Sequence, residues 1–200
     1  MGTEQSAPPG QLEPRDEPEE RAGSALERGD LGAVLDVLMD AYGEQIYRFC
    51  RRMMADEAAA EDVHQLTFVQ AYQSLPAFAR RSSFRTWLYG IARHRCLDTL
   101  KRRRRWRARF ELVDDPPEVA DPTADLHRDT ETSGISSVLA ACLERLAPRV
   151  RETVALRYQG GLSYAEIGEV LGERPPTLRV RVARAMPVLR RCVEEQGVAL

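Results

Sequence analysis

The sequence lacks any apolar stretch that approaches the roughly 18 residues needed to cross a bilayer. It also lacks a basic leader followed by an apolar block, because residues 1–21 are acidic and contain proline. Neither a phosphate-binding glycine loop nor a paired-carboxylate motif is present. We therefore expect a soluble, cytoplasmic protein with no membrane insertion, no catalytic centre and no cofactor.

Cysteine and histidine are scarce and scattered. The four cysteines are Cys50, Cys96, Cys142 and Cys192. No two of them form the close Cys-x-x-Cys pair that most zinc and redox sites contain, and the three histidines lie in unlike contexts. Since each cysteine falls within a helical pattern, we expect buried, reduced thiols and no metal site.

Alternating strand patterns and internal repeats are also absent, whereas apolar residues recur at spacings of three and four along most of the chain. A proline-bearing, acidic segment without periodicity separates two such helical regions. The sequence therefore predicts an all-α protein with two small domains joined by a flexible acidic linker. The expected ranges are 1–24 for a disordered acidic tail, 25–109 and 135–200 for the domains, and 110–134 for the linker.

The overall charge is nearly balanced, with 29 Lys and Arg residues against 31 Asp and Glu residues. Affinity for nucleic acid depends on local charge, however, and the acidic residues crowd the tail and the linker. The segment 101–109 is basic except at Trp106 and Ala108. We infer basic modules separated by acidic spacers, a distribution that permits DNA binding.

The second domain contains the pattern of two short helices joined by a glycine turn. Glycines at 160–161 close one helix, and Ser163 to Glu166 has the capping-box spacing that starts the next. That helix stops at Gly172, and 175–177 begins an arginine-rich helix. This pattern is typical of a helix-turn-helix that inserts its second helix into the major groove. The alternative is a plain helical hairpin with solvated arginines.

Residues 78–93 of the first domain interleave aromatics, hydroxyls and arginines in a loop that leads into a helix. Arginines follow phosphates, and a loop of small polar residues can hold an unstacked base, so this mixture suits single-stranded DNA. The spacing of Phe84 and Trp87 places those two side chains in the core instead. We assign the binding role to the loop and to the exposed arginines.

The run at 82–93, Ser-Ser-Phe-Arg-Thr-Trp-Leu-Tyr-Gly-Ile-Ala-Arg, resembles region 2 of the extracytoplasmic-function (ECF) sigma factors of the sigma-70 family. The preceding helix around Asp62 is similar to the family's clamp-binding segment. Residues 161–167 and 177–185 resemble region 4 of the same family. The resemblance covers most of the chain outside the tail and the linker.

The resemblance implies a non-enzymatic subunit that recruits core RNA polymerase to promoters and helps to melt the DNA. The implied partners are the polymerase clamp and flap, promoter DNA and, as a further candidate, an anti-sigma factor. Contact with core polymerase is expected from Asp62, Gln65 and Phe68. Contact with the minus-10 element is expected from Phe78, Arg80, Arg81, Ser82, Ser83, Arg85, Arg93 and His94. Contact with the minus-35 element is expected from Ser163, Tyr164, Thr177, Arg179, Val180, Arg181 and Arg184.

Several residues depart from the family's usual pattern. They include His64, Leu66, His94, Val180 and Pro187. Pro187 removes a helical hydrogen bond and predicts a bend in the last helix. Two other functions stay open: a stand-alone helix-turn-helix regulator, which leaves residues 78–93 without a purpose, and a metal or redox sensor, which lacks ligand spacing. Dependence of promoter binding on core polymerase would distinguish a sigma factor from the first alternative, and metal analysis of the purified protein would distinguish it from the second.

Overall fold

The structure, a computed structural model, describes residues 16–54, 56–110 and 134–197. Within these ranges the chain forms helices and turns but no strand, so the all-α prediction is confirmed. None of the described helices combines the length and the apolar character that crossing a bilayer requires. The helices are α1 (Asp16–Glu27), α2 (Leu31–Met54), α3 (Glu57–Ser74), a 3-10 turn (Leu75–Ala77), α4 (Phe84–Phe110), α5 (Gly134–Glu144), α6 (Pro148–Tyr158), α7 (Tyr164–Leu171) and α8 (Pro175–Glu195).

Helices α1 to α4 form an N-terminal unit around one apolar core. In α2, Leu38, Tyr42 and Ile46 recur every four residues and are all buried, which gives this helix a continuous inward stripe. Helix α3 begins after Asp56, whose carboxylate accepts a hydrogen bond from the Ala59 amide at 2.9 Å. Both helices pack against α4, and this packing fixes the helix that carries three of the predicted minus-10 residues, Arg85, Arg93 and His94.

Helix α1 contradicts the prediction of disorder for residues 16–24. Its small Ala22 side chain is fully buried, and small apolar residues of this kind give only a weak sequence pattern. The Glu19 carboxylate accepts hydrogen bonds from the backbone amides of Phe84 at 2.8 Å and Arg85 at 3.0 Å. These bonds order the acidic segment, because a carboxylate satisfies amides that a helix N-terminus leaves unpaired. The first fifteen residues lie outside the described part of the chain.

Helices α5 to α8 form a C-terminal unit whose local geometry follows the sequence closely. Helix α6 begins with Pro148, where proline's missing amide costs no helical hydrogen bond. Helix α7 begins at the capping box of Ser163 and Glu166 and ends at Gly172, which has a φ of 68°. The predicted capping box and the predicted stop are therefore confirmed. Of the predicted linker, 110–134, residues 111–133 lie outside the described residues, whereas Phe110 ends α4 and Gly134 begins α5.

A disulfide joins Cys142 of α5 to Cys192 of α8, with the two Cα atoms 5.8 Å apart. The expectation of reduced thiols is therefore wrong for this pair. The two residues lie 50 positions apart in the chain, so no local motif links them. Cys50 and Cys96 are free and buried, as expected.

The two units pack against each other through one continuous apolar cluster. Leu156, Leu162 and Ile167 of the C-terminal unit are fully buried in the same cluster as the N-terminal core. Gly160 lies at this contact, because a Cβ atom there would meet Tyr89 Cζ at 2.9 Å and the Leu156 carbonyl oxygen at 2.8 Å. The predicted flexible linker gave no indication of such close packing.

Candidate nucleic-acid interface

The loop that precedes α4 is held in place by aromatic packing. The centroid of the Phe78 ring lies 4.7 Å from that of Phe84 and 4.6 Å from that of Trp87. Phe84 is buried and Trp87 is half-buried, which agrees with their predicted place in the core. Phe78 therefore anchors the loop, and its contact with DNA stays a prediction.

Two arginines of this loop lie at the surface. Arg80 has a φ of 53°, a conformation that residues with a side chain rarely adopt. Its guanidinium donates to Glu27 of α1 at 2.8 Å and lies beside Gly23, where a Cβ atom would meet Arg80 Nη2 at 2.8 Å. Arg81 is exposed next to it. The loop thus presents positive charge to solvent through a backbone that is bent sharply at Arg80.

Ser83 caps the N-terminus of α4. Its hydroxyl oxygen accepts a hydrogen bond from the Thr86 amide at 3.1 Å and donates to Thr86 Oγ1 at 2.8 Å. Ser82 is half-buried in the same turn. The capping role alone thus explains a serine at position 83. Contacts of Ser82 and Ser83 with DNA stay predictions.

Two arginines of α4 are bound to carboxylates of the C-terminal unit. Arg85 Nη2 donates to Glu166 Oε1 at 3.2 Å, and Arg93 Nε donates to Glu152 Oε1 at 2.7 Å. The side chains of Arg85 and Arg93 are 15% and 27% exposed, whereas that of His94 is 74% exposed. Of these three predicted minus-10 residues, His94 is the one open to solvent in this arrangement.

Glu166 is the centre of the contact between α4 and α7. Its carboxylate also accepts a hydrogen bond from the Thr86 hydroxyl at 3.0 Å, and the Ser83 hydroxyl oxygen, whose hydrogen is directed to Thr86, lies 3.5 Å away. Burial favours a higher pKa for Glu166, but hydrogen bonds from Ser163 and the charge of Arg85 lower that pKa to about 2. The side chain is therefore an anion at neutral pH.

The outward face of α3 carries part of the predicted polymerase surface. Asp62 and Gln65 are exposed, but Phe68 is 5% exposed and packs edge-on against the His64 ring at 5.1 Å. The structure thus contradicts the predicted position of Phe68 on that surface, because its ring fills the core. Three apolar side chains also lie exposed on α3: Leu66, which the sequence analysis named only as a departure from the family pattern, and Val69 and Tyr72, which it did not name. Their spacing of three residues was the available signal.

Tyr164 lies between two arginines of the helix-turn-helix. The guanidinium carbon of Arg157 lies 5.1 Å from the centroid of the Tyr164 ring, and that of Arg179 lies 5.6 Å from it. Both distances are within the range of cation–π attraction. The ring therefore orients Arg179 at the start of α8, where the recognition helix is predicted to meet DNA.

Helix α8 exposes most of the predicted minus-35 residues. Leu178, Val182, Ala185 and Leu189 form the buried stripe that the sequence predicts. On the other side the exposed residues are Thr177, Arg179, Val180 and Arg184. The helix continues through Pro187 to Glu195.

Arg181 departs from its predicted role. Its guanidinium donates to Thr153 Oγ1 at 3.0 Å and to both carboxylate oxygens of Glu173. The hydrogen bond from Arg181 lowers the pKa of Glu173. Since these bonds join α8 to α6 and to the turn after α7, Arg181 is a structural arginine and its guanidinium is not free to reach the DNA backbone.

A groove of about 480 Å³ lies where α3, α4 and α7 meet, and Trp87, His94 and Glu169 are among the residues that line it. Within the described ranges, no group of three or more His, Cys, Asp or Glu side chains is placed to hold a metal ion. The groove is lined by hydroxyl, aromatic, imidazole, guanidinium, amide and carboxylate groups.

Comparisons with known proteins agree with this arrangement of helices. Residues 38–106 match the family model of Sigma-70 region 2, and residues 136–186 match that of Sigma-70, region 4. Two solved structures share the fold. One is the sigma factor RpoE in complex with the anti-sigma factor NepR from Bartonella quintana, with a TM-score of 0.61, 22% identity, and coverage of 78% of this chain and 94% of that one. The other is CnrH in complex with the cytosolic domain of CnrY, with a TM-score of 0.63, 23% identity, and coverage of 89% and 98%.

Curated relatives extend the similarity to sequence. The ECF RNA polymerase sigma factor SigE of Mycolicibacterium smegmatis is 33% identical over 188 residues, which are 90% of this chain and 69% of the relative. The ECF RNA polymerase sigma factor SigW of Bacillus subtilis is 29% identical over 172 residues, covering 83% of this chain and 91% of the relative. The chain therefore belongs to the ECF RNA polymerase sigma factors, and it is a non-catalytic, alternative sigma factor that directs RNA polymerase to promoters.

Proposed function

We propose that the two units divide promoter recognition between them. The N-terminal unit binds the polymerase clamp and the non-template strand of the minus-10 element, and the C-terminal unit binds the polymerase flap and the minus-35 element. The observation that carries this proposal is that each of the two matched family regions contains an exposed segment with arginines. An exposed, arginine-bearing loop lies within the region 2 match, and an exposed, arginine-bearing recognition helix lies within the region 4 match.

The minus-35 contact rests on the first turns of α8. Arg179 and Arg184 project outward from the buried stripe of this helix, and arginine is the residue best suited to bidentate contact with guanine in the major groove. Ser163 and Tyr164 lie at the start of α7, where side chains and backbone amides are suited to anchoring phosphate. Arg181 is left out of this set because it is bound within its own unit.

The minus-10 contact rests on the loop at 80–83 and on the exposed His94. Arg81 and His94 are open to solvent, and His94 Nε2 lies 3.0 Å from Asp98 Oδ2 one turn along the helix. Arg85 and Arg93 can join them only after their bonds to Glu166 and Glu152 are broken. We therefore assign the first encounter with the strand to the loop.

The polymerase contact rests on the outward face of α3. Three exposed apolar side chains, Leu66, Val69 and Tyr72, accompany Asp62 and Gln65 there. An apolar patch with polar residues beside it is typical of a protein interface. We propose that this patch replaces Phe68 in the predicted contact.

The setting of this activity follows from the family. Because the sigma factor family acts on DNA-bound RNA polymerase, we propose that this chain works in the cytoplasm. An anti-sigma factor is a further proposed partner, and its support is that RpoE of Bartonella quintana, which shares the fold, forms such a complex.

Run-off transcription with core polymerase on a library of genomic promoter fragments tests the proposal. Specific transcripts should depend on this chain, and the free chain should show weak, unspecific binding to the same fragments in a gel shift. Tight, sequence-specific binding without polymerase would favour a stand-alone helix-turn-helix regulator. Asp62→Arg should weaken polymerase association in a pull-down while the circular dichroism spectrum stays unchanged.

A further inference from the structure

We propose that helix α1 sets the base preference of the minus-10 loop, residues 78–83, through three positioning residues, Glu19, Gly23 and Glu27. This rests on the proposed function, which assigns that loop to the minus-10 element. Helix α1 ends at Glu27, whereas the match to Sigma-70 region 2 begins at residue 38. The selection of minus-10 bases would therefore depend on a helix that precedes the matched region.

Glu19 ties α1 to the N-terminus of α4, directly after the loop. Its Oε2 accepts a hydrogen bond from the Phe84 amide at 2.8 Å, and its Oε1 accepts one from the Arg85 amide at 3.0 Å. The Tyr42 hydroxyl of α2 donates to the same Oε1 at 3.1 Å. Since Ser83 caps a later amide of α4, Glu19 serves two amides that the capping serine leaves unpaired. The carboxylate thus fixes the point at which the loop enters α4.

The second contact holds Arg80, whose φ of 53° is a conformation that persists only where the surroundings enforce it. Its guanidinium donates to Glu27 Oε1 at 2.8 Å. Gly23 leaves room for this guanidinium, because a Cβ atom at position 23 would lie 2.8 Å from Arg80 Nη2. The ion pair is exposed, so it contributes little to stability, and its consequence is the direction in which Arg80 points.

The three positioning residues recur every four positions and so form one stripe of α1 along the loop. The core contact of α1 rests on other positions as well, because the buried Ala22 and Ala25 lie beside this stripe. Changes at the positioning residues should therefore alter the loop while α1 stays packed on the core.

A pocket of about 480 Å³ lies between the stripe and the loop, and its walls include Glu20 of α1 and Arg81 and Ser82 of the loop. A base taken out of the stack is read in a pocket that contacts its edge. Since one wall belongs to α1 and another to the loop, displacement of Arg80 or of the start of α4 changes the shape of the pocket. A change of shape alters which base fits, whereas a loss of stability lowers the binding of every base alike.

Gly23→Ala is the decisive variant, because it moves stability and positioning in opposite directions. Alanine has a higher helix propensity than glycine, yet its Cβ atom would displace the Arg80 guanidinium. Gly43→Ala is the matched control, since Gly43 lies within α2 and a Cβ atom there would meet no neighbouring atom within 4 Å.

Glu19→Gln tests the first contact. Glutamine keeps the size of the side chain, but its amide group offers one acceptor oxygen where the carboxylate offers two. One of the two α4 amides, that of Phe84 or that of Arg85, thereby loses its partner. Glu17→Gln is the matched control, because Glu17 is an exposed glutamate of the same helix and its replacement removes the same charge.

Run-off transcription with core polymerase measures both promoter preferences of the full chain. One promoter library randomises the minus-10 element, and a second randomises the minus-35 element. In Gly23→Ala and Glu19→Gln, discrimination between bases at one minus-10 position should fall roughly tenfold, as expected when one base contact is lost. Discrimination at minus-35 should stay as in the wild type, and both control variants should leave both preferences unchanged. The urea concentration at the midpoint of unfolding of Gly23→Ala should equal or exceed that of the wild type.

Arg81→Ala separates this inference from the proposed function. If Arg81→Ala alters minus-10 discrimination but a folded Gly23→Ala or Glu19→Gln does not, α1 has no part in base selection and the inference is overturned. If Arg81→Ala also leaves minus-10 discrimination unchanged, the loop loses its proposed role and the inference falls with it. Equal losses at minus-10 and minus-35, or the same loss in a control variant, would reduce the effect to general stability or charge and would likewise overturn the inference.

Discussion

The disulfide between Cys142 and Cys192 should stabilise the C-terminal unit strongly. It links residues 50 positions apart, and closing a loop of that length removes roughly 14 cal/mol/K of chain entropy from the unfolded state. At 25 °C this corresponds to about 4 kcal/mol. Helix α5 should depend on the link most, because α5 packs chiefly on α8, where the second cysteine lies.

Native-state hydrogen exchange followed by mass spectrometry measures this effect for each unit separately. Reduction with a phosphine should accelerate exchange of the most protected amides in α5 to α8 by up to about 10³-fold, since each 1.4 kcal/mol is a factor of ten. Amides of α2, in the N-terminal core, should change less, because no disulfide holds that helix.

A double variant, Cys142→Ser with Cys192→Ser, is the matched control, because reductant should have no further effect on it. Cys50 and Cys96 stay in both proteins as buried, free thiols. The reasoning is refuted if the unfolded, non-reduced protein exposes four reactive thiols. It is equally refuted if reduction leaves exchange in α5 to α8 unchanged.

Three further predictions concern single side chains. Alanine at Arg179 or Arg184 should relax minus-35 preference in a randomised-promoter transcription assay by about 1–3 kcal/mol at one position. Alanine at Arg181 should instead lower the melting temperature, and an equal change of preference for all three would contradict this division. Tyr89→Phe should keep or raise the urea concentration at the midpoint of unfolding. The buried Tyr89 hydroxyl has no hydrogen-bond partner among the described residues, and burying such a group destabilises a fold by about 1–3 kcal/mol. A lower midpoint in the variant would refute this reasoning. Because the pKa of Glu166 is lowered from 4.5 to about 2, the ionised Glu166 side chain stabilises the folded chain fully above pH 4.5, and this stabilisation is lost as the pH falls toward 2. Tryptophan emission measured against pH should show a transition in the wild type that Glu166→Gln lacks.

The helix-turn-helix could be predicted because its signals act over short distances. The capping box of Ser163 and Glu166, the stop at Gly172 and the start at Pro175 each depend on backbone groups within a few residues. The buried stripe of α8 follows from helical periodicity in the same way. Local chemistry therefore sufficed to predict the fold of this segment and the outward position of Arg179.

Long-range pairs could not be predicted in this way, and Arg181 shows why. Its place at the edge of the outward face of α8 suits a phosphate contact and an internal ion pair equally well. The outcome depends on whether the fold brings an anion within reach, and here Glu173 and Thr153 lie within hydrogen-bond distance. The same holds for the disulfide, whose cysteines carry no information about each other in the sequence.

The contact between the two units follows from a property that carboxylate and phosphate share. Both present anionic oxygens to arginines and hydroxyls, so the donors at the start of α4 that bind the Glu166 side chain are of the kind that would bind a strand backbone. No sequence pattern distinguishes these two partners, because the donors are identical in both. The residues with the clearest nucleic-acid character, such as Arg85, are therefore also those best able to pair internally. Residue type alone therefore does not identify a DNA contact: Arg85 and Arg93 are bound to carboxylates, whereas Arg81 of the preceding loop is open to solvent.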